Sequence, residues 1–155
     1  AWCWNPRYGI LRSNRRTVQD RSRIMEVNLV LDTSAYSNFL NDKYDLHRFI
    51  NPSNSIFVPV IVLGELKSSF LNGNKKKQNE DLLSEFLDAS NVTILEITEK
   101  SAQIYAEISY ELRKAGTPIR TNDMWIAAIC IENKLPLLTL VADFSKVSGL
   151  SLLDV

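Results

Sequence analysis

The sequence predicts an α/β fold of three layers, in which helices cover both faces of a parallel sheet of about five strands. Short apolar runs alternate with segments whose apolar residues recur at helical spacing, and this alternation is typical of parallel β-α-β units. The 155 residues suffice for one domain with a sizeable core, and 45% of them are apolar. No internal repeat or low-complexity segment interrupts the pattern.

Four apolar runs are predicted to be strands, and a fifth run is a candidate. They are residues 27–31, 56–58, 92–95 and 136–139, followed by the candidate 150–153. The segments between them have helical spacing or helix-start signals. The predicted helical segments are 36–40, with a helix N-terminus at 32–34, then 46–50, 59–71, a stretch around 82–87, 102–112 and about 123–133.

Capping and turn residues set the predicted boundaries. Pro59 suits the first turn of the second helix, because its missing N–H has no partner there in any case. The segment 72–74, Asn-Gly-Asn, ends that helix, and Gly116 with Pro118 ends a later one. Thr121-Asn122 is predicted to cap the helix that begins near position 123.

The net charge of zero hides an uneven distribution. Residues 1–24 contain six arginines and one aspartate, whereas residues 25–155 contain 12 Lys+Arg and 17 Asp+Glu. The first 24 residues also lack apolar periodicity, and the strand pattern begins just after Met25. We therefore predict that 25–155 is the domain and 1–24 a basic leader outside the fold, with a nucleic-acid-gripping arm as the alternative.

Cysteine, histidine and hydropathy exclude several classes of protein. Cys3 and Cys130 have no metal or redox spacing, which favours a reducing, cytoplasmic compartment. The single histidine, His47, rules out most zinc sites and every histidine-based triad, and its polar surroundings predict a surface position. No apolar run approaches the ~20 residues that span a bilayer, so no membrane partner is expected.

Three carboxylates stand out by position. Asp32 ends the first strand, where ligands bind in parallel α/β sheets, and Asp123 lies in the first turn of a helix. Glu65 lies among apolar residues of a helix that should pack on the sheet, where a carboxylate is costly without compensation. As alternatives, the two aspartates act as helix caps, and Glu65 pairs with Lys67 or Lys76.

The residues next to Asp32 exclude two other kinds of carboxylate site. An aspartyl-phosphate site requires a second Asp where Ser34 stands, and a D-x-S-x-S metal site requires a hydroxyl where Tyr36 stands. Neither a dinucleotide glycine fingerprint nor a P-loop is present. The remaining set of bare carboxylates suits Mg²⁺ or Mn²⁺.

Four segments carry a family resemblance. They are VNLVLDTSAYSNFL, IFVPVIVLGELKSSFLNG, TNDMWIAAICIENKLPLLT and DFSKVSGLSLLD. In order and spacing they resemble the conserved blocks of the PIN-domain family, and most closely those of VapC-type toxin ribonucleases, over residues 26–155. The resemblance implies a PIN-like sheet, an acidic pocket that binds Mg²⁺ or Mn²⁺, and hydrolysis of RNA phosphodiester bonds. By position, Asp32, Glu65 and Asp123 match the first three family acids.

The fourth block departs from the family pattern. The family often has an aspartate two residues after a threonine, but Val141 follows Thr139 at that place, and Asp143 comes two residues later. Either Asp143 supplies the fourth carboxylate from a shifted loop, or the site uses three acids. The same departure supports an alternative function, a catalytically weak or inactive PIN-like module that binds RNA or protein.

Polar neighbours of the acids are candidate supporting residues. Thr33, Ser34, Asn122 and Thr139 are predicted to orient the carboxylates, to cap helices, or both. Arg120, three residues before Asp123, is a candidate RNA-phosphate contact. The lysines at 75–77 fit a solvated first helical turn better than an RNA contact.

The resemblance also implies partners. VapC-type proteins are expected to form a homodimer and to bind a small antitoxin protein whose tail blocks the acidic pocket. Tyr36, Phe39 and Leu40 form an apolar stripe on the first helix. Interface packing and core packing explain that stripe equally well.

Overall fold

The computed structural model describes residues 2–3, 12–13 and 27–155. Its strands are β1 (Trp2–Cys3), β2 (Arg12–Ser13), β3 (Asn28–Leu31), β4 (Ser55–Pro59), β5 (Val92–Leu95) and β6 (Leu137–Leu138). Its α-helices are α1 (Thr33–Leu40), α2 (Val60–Leu71), α3 (Lys76–Leu87), α4 (Glu99–Lys114) and α5 (Thr121–Asn133). Two 3-10 helices span Leu46–Arg48 and Ala142–Lys146. β1 pairs antiparallel with β2, and the predicted leader otherwise lies outside the described residues.

The main sheet is parallel, with the strand order β5-β4-β3-β6. The chain moves from β3 to β4 to β5 in one direction and then returns past β3 to form β6. Because such crossovers are right-handed, α1 to α3 cover one face and α4 with α5 cover the other. This arrangement confirms the predicted three-layer α/β fold. The order reverses at β3, and ligands of open α/β sheets bind at the carboxyl end of such a strand.

The described sheet has four strands rather than about five. Instead of a fifth strand, the 150–153 segment makes an isolated parallel bridge between Leu137 and Leu152. The N–H of Leu137 donates to the Ser151 carbonyl at 2.8 Å, and the N–H of Leu153 donates to the Leu137 carbonyl at 3.0 Å. β6 is also shorter than the predicted 136–139, because Pro136 and Thr139 lie outside it; the Thr139 hydroxyl donates to Asp32 Oδ2.

The starts of α2 and α5 lie one or two residues from the predicted ones. α2 begins at Val60, and Pro59 is its extended N-cap and the last residue of β4. α5 begins at Thr121 with Arg120 as N-cap (φ −64°, ψ 146°), two residues earlier than expected. Asp123 is therefore the third residue of α5, still within the first turn, where the helix dipole favours a negative charge.

The core lies on both faces of the sheet. Leu29, Val30 and Leu31 are fully buried in consecutive positions, which explains why the last three residues of β3 are all apolar instead of alternating. Tyr36 and Phe39 of α1 are also buried, at 1% and 2% exposure. Core packing, not an interface, therefore accounts for these two residues of the α1 stripe.

The basic and titratable surface segments lie outside the acidic site. His47 is half-buried, with its ring edge-on to Phe39 and its Nε2 3.1 Å from Asp42 Oδ1. The lysines at 75–77 are exposed where α3 begins, and Lys76 forms an ion pair with Glu80 at 3.8 Å. This position agrees with a solvated first helical turn.

Within the described ranges, no helix has both the length and the apolar character required to cross a bilayer.

The Tyr36 hydroxyl is a buried polar group without a hydrogen-bond partner among the described residues. The ring packs edge-on against Phe86 at 5.3 Å, and burial raises the pKa of the phenol. We expect Tyr36→Phe to raise the free energy of unfolding by about 1 kcal/mol, because phenylalanine keeps the ring and removes the unpaired polar atom. Urea unfolding followed by circular dichroism measures this change.

Tyr110→Phe is the matched control, because Tyr110 is 67% exposed and its hydroxyl is not forced out of water. Its effect should stay within about 0.5 kcal/mol. A clear loss of stability in Tyr36→Phe would contradict the prediction, since it would mean that the hydroxyl is satisfied in solution.

Candidate active site

Asp32 directly follows β3 and is the N-cap of α1, and only 3% of its surface is exposed. Its Oδ1 accepts from the Ala35 N–H and the Ser34 hydroxyl, both at 2.8 Å, and its Oδ2 accepts from the Thr139 hydroxyl at 2.6 Å. Burial raises the pKa of Asp32, these hydrogen bonds oppose the rise, and the charge of Asp123 adds to it. The carboxylate is therefore firmly held but costly to ionise in this arrangement.

Glu65 projects from the second turn of α2 and is half-buried. Its Oε2 accepts a short hydrogen bond from the Thr33 hydroxyl, and its Oε1 accepts from the Asn122 side-chain amide at 2.9 Å. The two donors come from α1 and α5, so Glu65 joins three helices. No ion pair with Lys67 or Lys76 accompanies these contacts in the described part of the chain.

Asp123 lies in the first turn of α5 and is 3% exposed. Arg120 donates to both carboxylate oxygens, from Nε to Oδ2 at 3.0 Å and from Nη2 to Oδ1 at 3.3 Å. Burial raises the pKa of Asp123, the Arg120 contact lowers it, and the charges of Glu65 and Asp143 raise it further. The pKa is raised overall, chiefly because the carboxylate is buried and further because it faces other acids.

One cavity of about 870 Å³ brings the three carboxylates together. It lies at the carboxyl end of β3, where the strand order reverses. The acids, their predicted supporting residues and the predicted phosphate contact form part of its lining: Asp32, Glu65, Asp123, Thr33, Ser34, Asn122 and Arg120. Thr139 reaches the site by its hydrogen bond to Asp32.

The fourth block places Val141, not Asp143, in the cavity lining. Asp143 lies in the first turn of the 3-10 helix Ala142–Lys146. Its side chain is 44% exposed and forms an ion pair with Lys146 at 2.7 Å. Its charge still contributes to the raised pKa of Asp123. The structure therefore gathers three of the four predicted acids and places the fourth at the side.

Sequence reasoning missed a polar wall of the cavity. Ser68 and Ser69 of α2, Asn72 at its C-cap and Ser37 of α1 line the space beside the carboxylates. Gly64 also lines it, and a Cβ at Gly64 would meet no protein atom within 4 Å. The four-residue spacing of Gly64, Ser68 and Asn72 could have predicted this lining, because residues at that spacing lie on one face of a helix.

The donor set suits a hard divalent cation. Carboxylate oxygens are the ligands that Mg²⁺ and Mn²⁺ prefer. Burial chiefly, and neighbouring acids further, raise the pKa of Asp32 and Asp123, and a bound cation would stabilise both ionised carboxylates. The described residues contain no group of three or more His, Cys, Asp or Glu side chains already placed to hold a metal ion together. In the arrangement shown, protein donors satisfy each carboxylate instead.

Comparison with known proteins adds three similarities. Ribonuclease VapC5 of Mycobacterium tuberculosis is 25% identical over 126 residues, which cover 81% of this chain and 92% of that protein. A chain of VapBC2 from Rickettsia felis, solved bound to a promoter DNA fragment, superposes with a TM-score of 0.72 at 28% identity, covering 82% and 98% of the two chains. VapBC-5 of M. tuberculosis, of the VapBC family of toxin-antitoxin systems, shares the fold with a TM-score of 0.65 at 23% identity, covering 83% and 99%.

The family model described as PIN domain matches residues 29–150. The match begins in β3, ends beyond the last 3-10 helix and contains all three acids of the cavity. Since it spans most of the sequence and agrees with the observed sheet order and acidic cavity, this chain belongs to the PIN-domain family.

Proposed function

We propose that this chain is a metal-dependent endoribonuclease that hydrolyses RNA phosphodiester bonds with Mg²⁺ or Mn²⁺, and that it is the toxin of a toxin-antitoxin pair. The observation that supports it most is the gathering of Asp32, Glu65 and Asp123 in one cavity at the carboxyl edge of the sheet. The relative named ribonuclease VapC5 supports the nuclease class. No histidine or reactive cysteine lines the cavity among the described residues, so the chemistry rests on carboxylates.

In this proposal Asp32, Glu65 and Asp123 hold the cation. When bound, the cation would neutralise charge on the scissile phosphate and lower the pKa of an attacking water. Thr139 and Ser34 fix the orientation of Asp32, and Thr33 with Asn122 fixes that of Glu65. Asp143 is a candidate fourth carboxylate with less support than these three. The exposed guanidinium of Arg120 offers a contact to phosphate at the mouth of the cavity.

Metal removal tests the proposal. Purified protein should cleave single-stranded RNA in Mn²⁺ or Mg²⁺, and chelation with EDTA should lower the rate by roughly 100-fold or more, because the carboxylates alone cannot activate water. Gel-resolved cleavage of a labelled RNA measures the rate, and re-addition of metal should restore it. RNA cleavage that persists in EDTA would rule out the metal-dependent mechanism.

A second candidate function is a PIN-like module that binds RNA or protein without cutting. The presence of Val141 in the cavity, where the family often carries an acid, favours it. RNA binding with no cleavage over a broad set of RNAs and both metals would support this module over the nuclease. The wild type in the same assay therefore separates the two candidates.

The proposal extends to partners and boundaries. The neighbour VapBC-5, a member of the VapBC family of toxin-antitoxin systems, supports a small antitoxin partner. The proposed homodimer rests on the family resemblance alone.

A cytoplasmic location is proposed with the support of Cys130, a buried free thiol. A domain over 25–155 with a separate basic leader is supported by the family match over 29–150 and by a described core that runs from Leu29 to Val147.

A further inference from the structure

Arg120 covers one of the three carboxylates from the solvent side. It is the N-cap of α5, its side chain is 69% exposed, and it folds back onto Asp123, whose side chain is only 4% exposed. Both oxygens of Asp123 accept from the guanidinium, at 3.0 Å and 3.3 Å. A cation that approached Asp123 from the cavity would therefore meet oxygens that already have a positively charged partner.

Arg120 is also the sole basic side chain in the described lining of the cavity. Three acids, Asp32, Glu65 and Asp123, line the same space. The other nearby cation, Lys146, is committed to Asp143 at 2.7 Å. Arg120 thus provides the only positive charge within this lining that offsets the three carboxylates.

We infer that Arg120 is a built-in counter-ion, which holds Asp123 when no divalent cation is bound and must release it for the cation to bind. The inference rests on the proposed function of the carboxylate cavity. Release is feasible because the guanidinium is mostly in water and its hydrogen bonds exchange for hydration. The freed guanidinium, tethered at the mouth of the cavity, then contacts a phosphate of the RNA. Arg120 therefore opposes metal binding and assists RNA binding.

The test measures Mn²⁺ affinity directly, by the electron paramagnetic resonance signal of free Mn²⁺ in a titration of the whole chain. Arg120→Gln should bind Mn²⁺ tighter than wild type by roughly 3- to 10-fold, the range expected for removing one charge-assisted contact. Arg120→Lys should lie between the two, because lysine keeps the charge and loses the two-point contact. Lys67→Gln is the control: it makes the same change in net charge at an exposed position of α2 outside the cavity lining, and should match wild type.

RNA binding provides a second measurement, in which the same substitution should lower affinity and not raise it. In saturating Mn²⁺, Arg120→Gln should raise the KM for RNA while its Mn²⁺ dissociation constant falls. A residue that merely stabilised the fold would weaken both when removed. Unchanged or weaker Mn²⁺ binding in Arg120→Gln, with normal Mn²⁺ binding in wild type, overturns this inference alone. Failure of the wild type itself to bind Mn²⁺ overturns the metal-dependent function and this inference with it.

Discussion

Asp32→Asn is expected to lower the rate of RNA cleavage by roughly 100-fold or more, and Asp123→Asn to do the same, because each removes a charge that the proposed cation site requires. Asp32 lies at the strand-order reversal, and its carboxylate is fixed by Ser34, Ala35 and Thr139. Asparagine has the same shape and hydrogen-bonding reach but no negative charge. Single-turnover cleavage of a labelled RNA in Mn²⁺ measures the loss.

The Asp32 substitution separates chemistry from folding. Asparagine is as good an N-cap as aspartate, so it keeps the hydrogen bond from the Ala35 N–H that starts α1. The midpoint of thermal unfolding should therefore stay within about 4 °C of wild type. Near-normal cleavage by either Asn variant would contradict the proposed three-acid site.

Asp143→Asn determines whether a fourth acid takes part. Because Asp143 is paired with Lys146 outside the cavity lining, its removal should cost less than about 5-fold in rate. A loss as large as that of Asp32→Asn would instead show that the loop moves and that the site uses four acids.

Thr139→Val is the second substitution for which we expect a large effect, a fall of roughly 10- to 100-fold in kcat/KM or Mn²⁺ affinity. The Thr139 hydroxyl donates to Asp32 Oδ2 at 2.6 Å and accepts from the Val141 N–H at 3.0 Å. Valine has nearly the same shape but neither bond, so Asp32 loses its shortest restraint and the fourth block loses its anchor. Steady-state kinetics and a Mn²⁺ titration measure the two quantities.

Thr139→Ser restores the hydroxyl and should bring kcat/KM back to within about 3-fold of wild type. Ser145→Ala is a second control in the same region, because its hydroxyl donates only to the Ala142 carbonyl and is exposed. Full activity in Thr139→Val would mean that Asp32 needs no orientation from the fourth block.

Much of the fold followed from local patterns. The uniformly apolar run around Val30 predicted a strand buried on both faces, and the helical spacing of residues such as Ile108 and Leu112 predicted α4. These signals are local, because the side-chain period of a strand or helix depends only on nearby residues. Element ends were less predictable: Thr139 looks like a strand residue, but it lies just outside β6 and its hydroxyl donates to Asp32.

The hydrogen-bond donors to the acids could not be predicted from the sequence. The apolar neighbours of Glu65 suggested that it needs compensation, but its observed donors are Thr33, 32 residues away, and Asn122, 57 residues away. The sequence likewise left open whether Asp143 supplies a fourth carboxylate. The turn of 3-10 helix from Ala142 leaves Val141 in the cavity lining and Asp143 outside it. Each of these outcomes depends on how distant elements pack.

By itself, the sequence determined the alternation of strands and helices and marked Asp32, Glu65 and Asp123 as unusual, because periodicity, capping and the cost of a carboxylate among apolar residues act over a few positions. Only the tertiary structure decided that these acids share one cavity and that Thr139 restrains Asp32. The reason is the strand order: placing β6 beside β3 brings together residues 107 positions apart, a contact that no local pattern encodes.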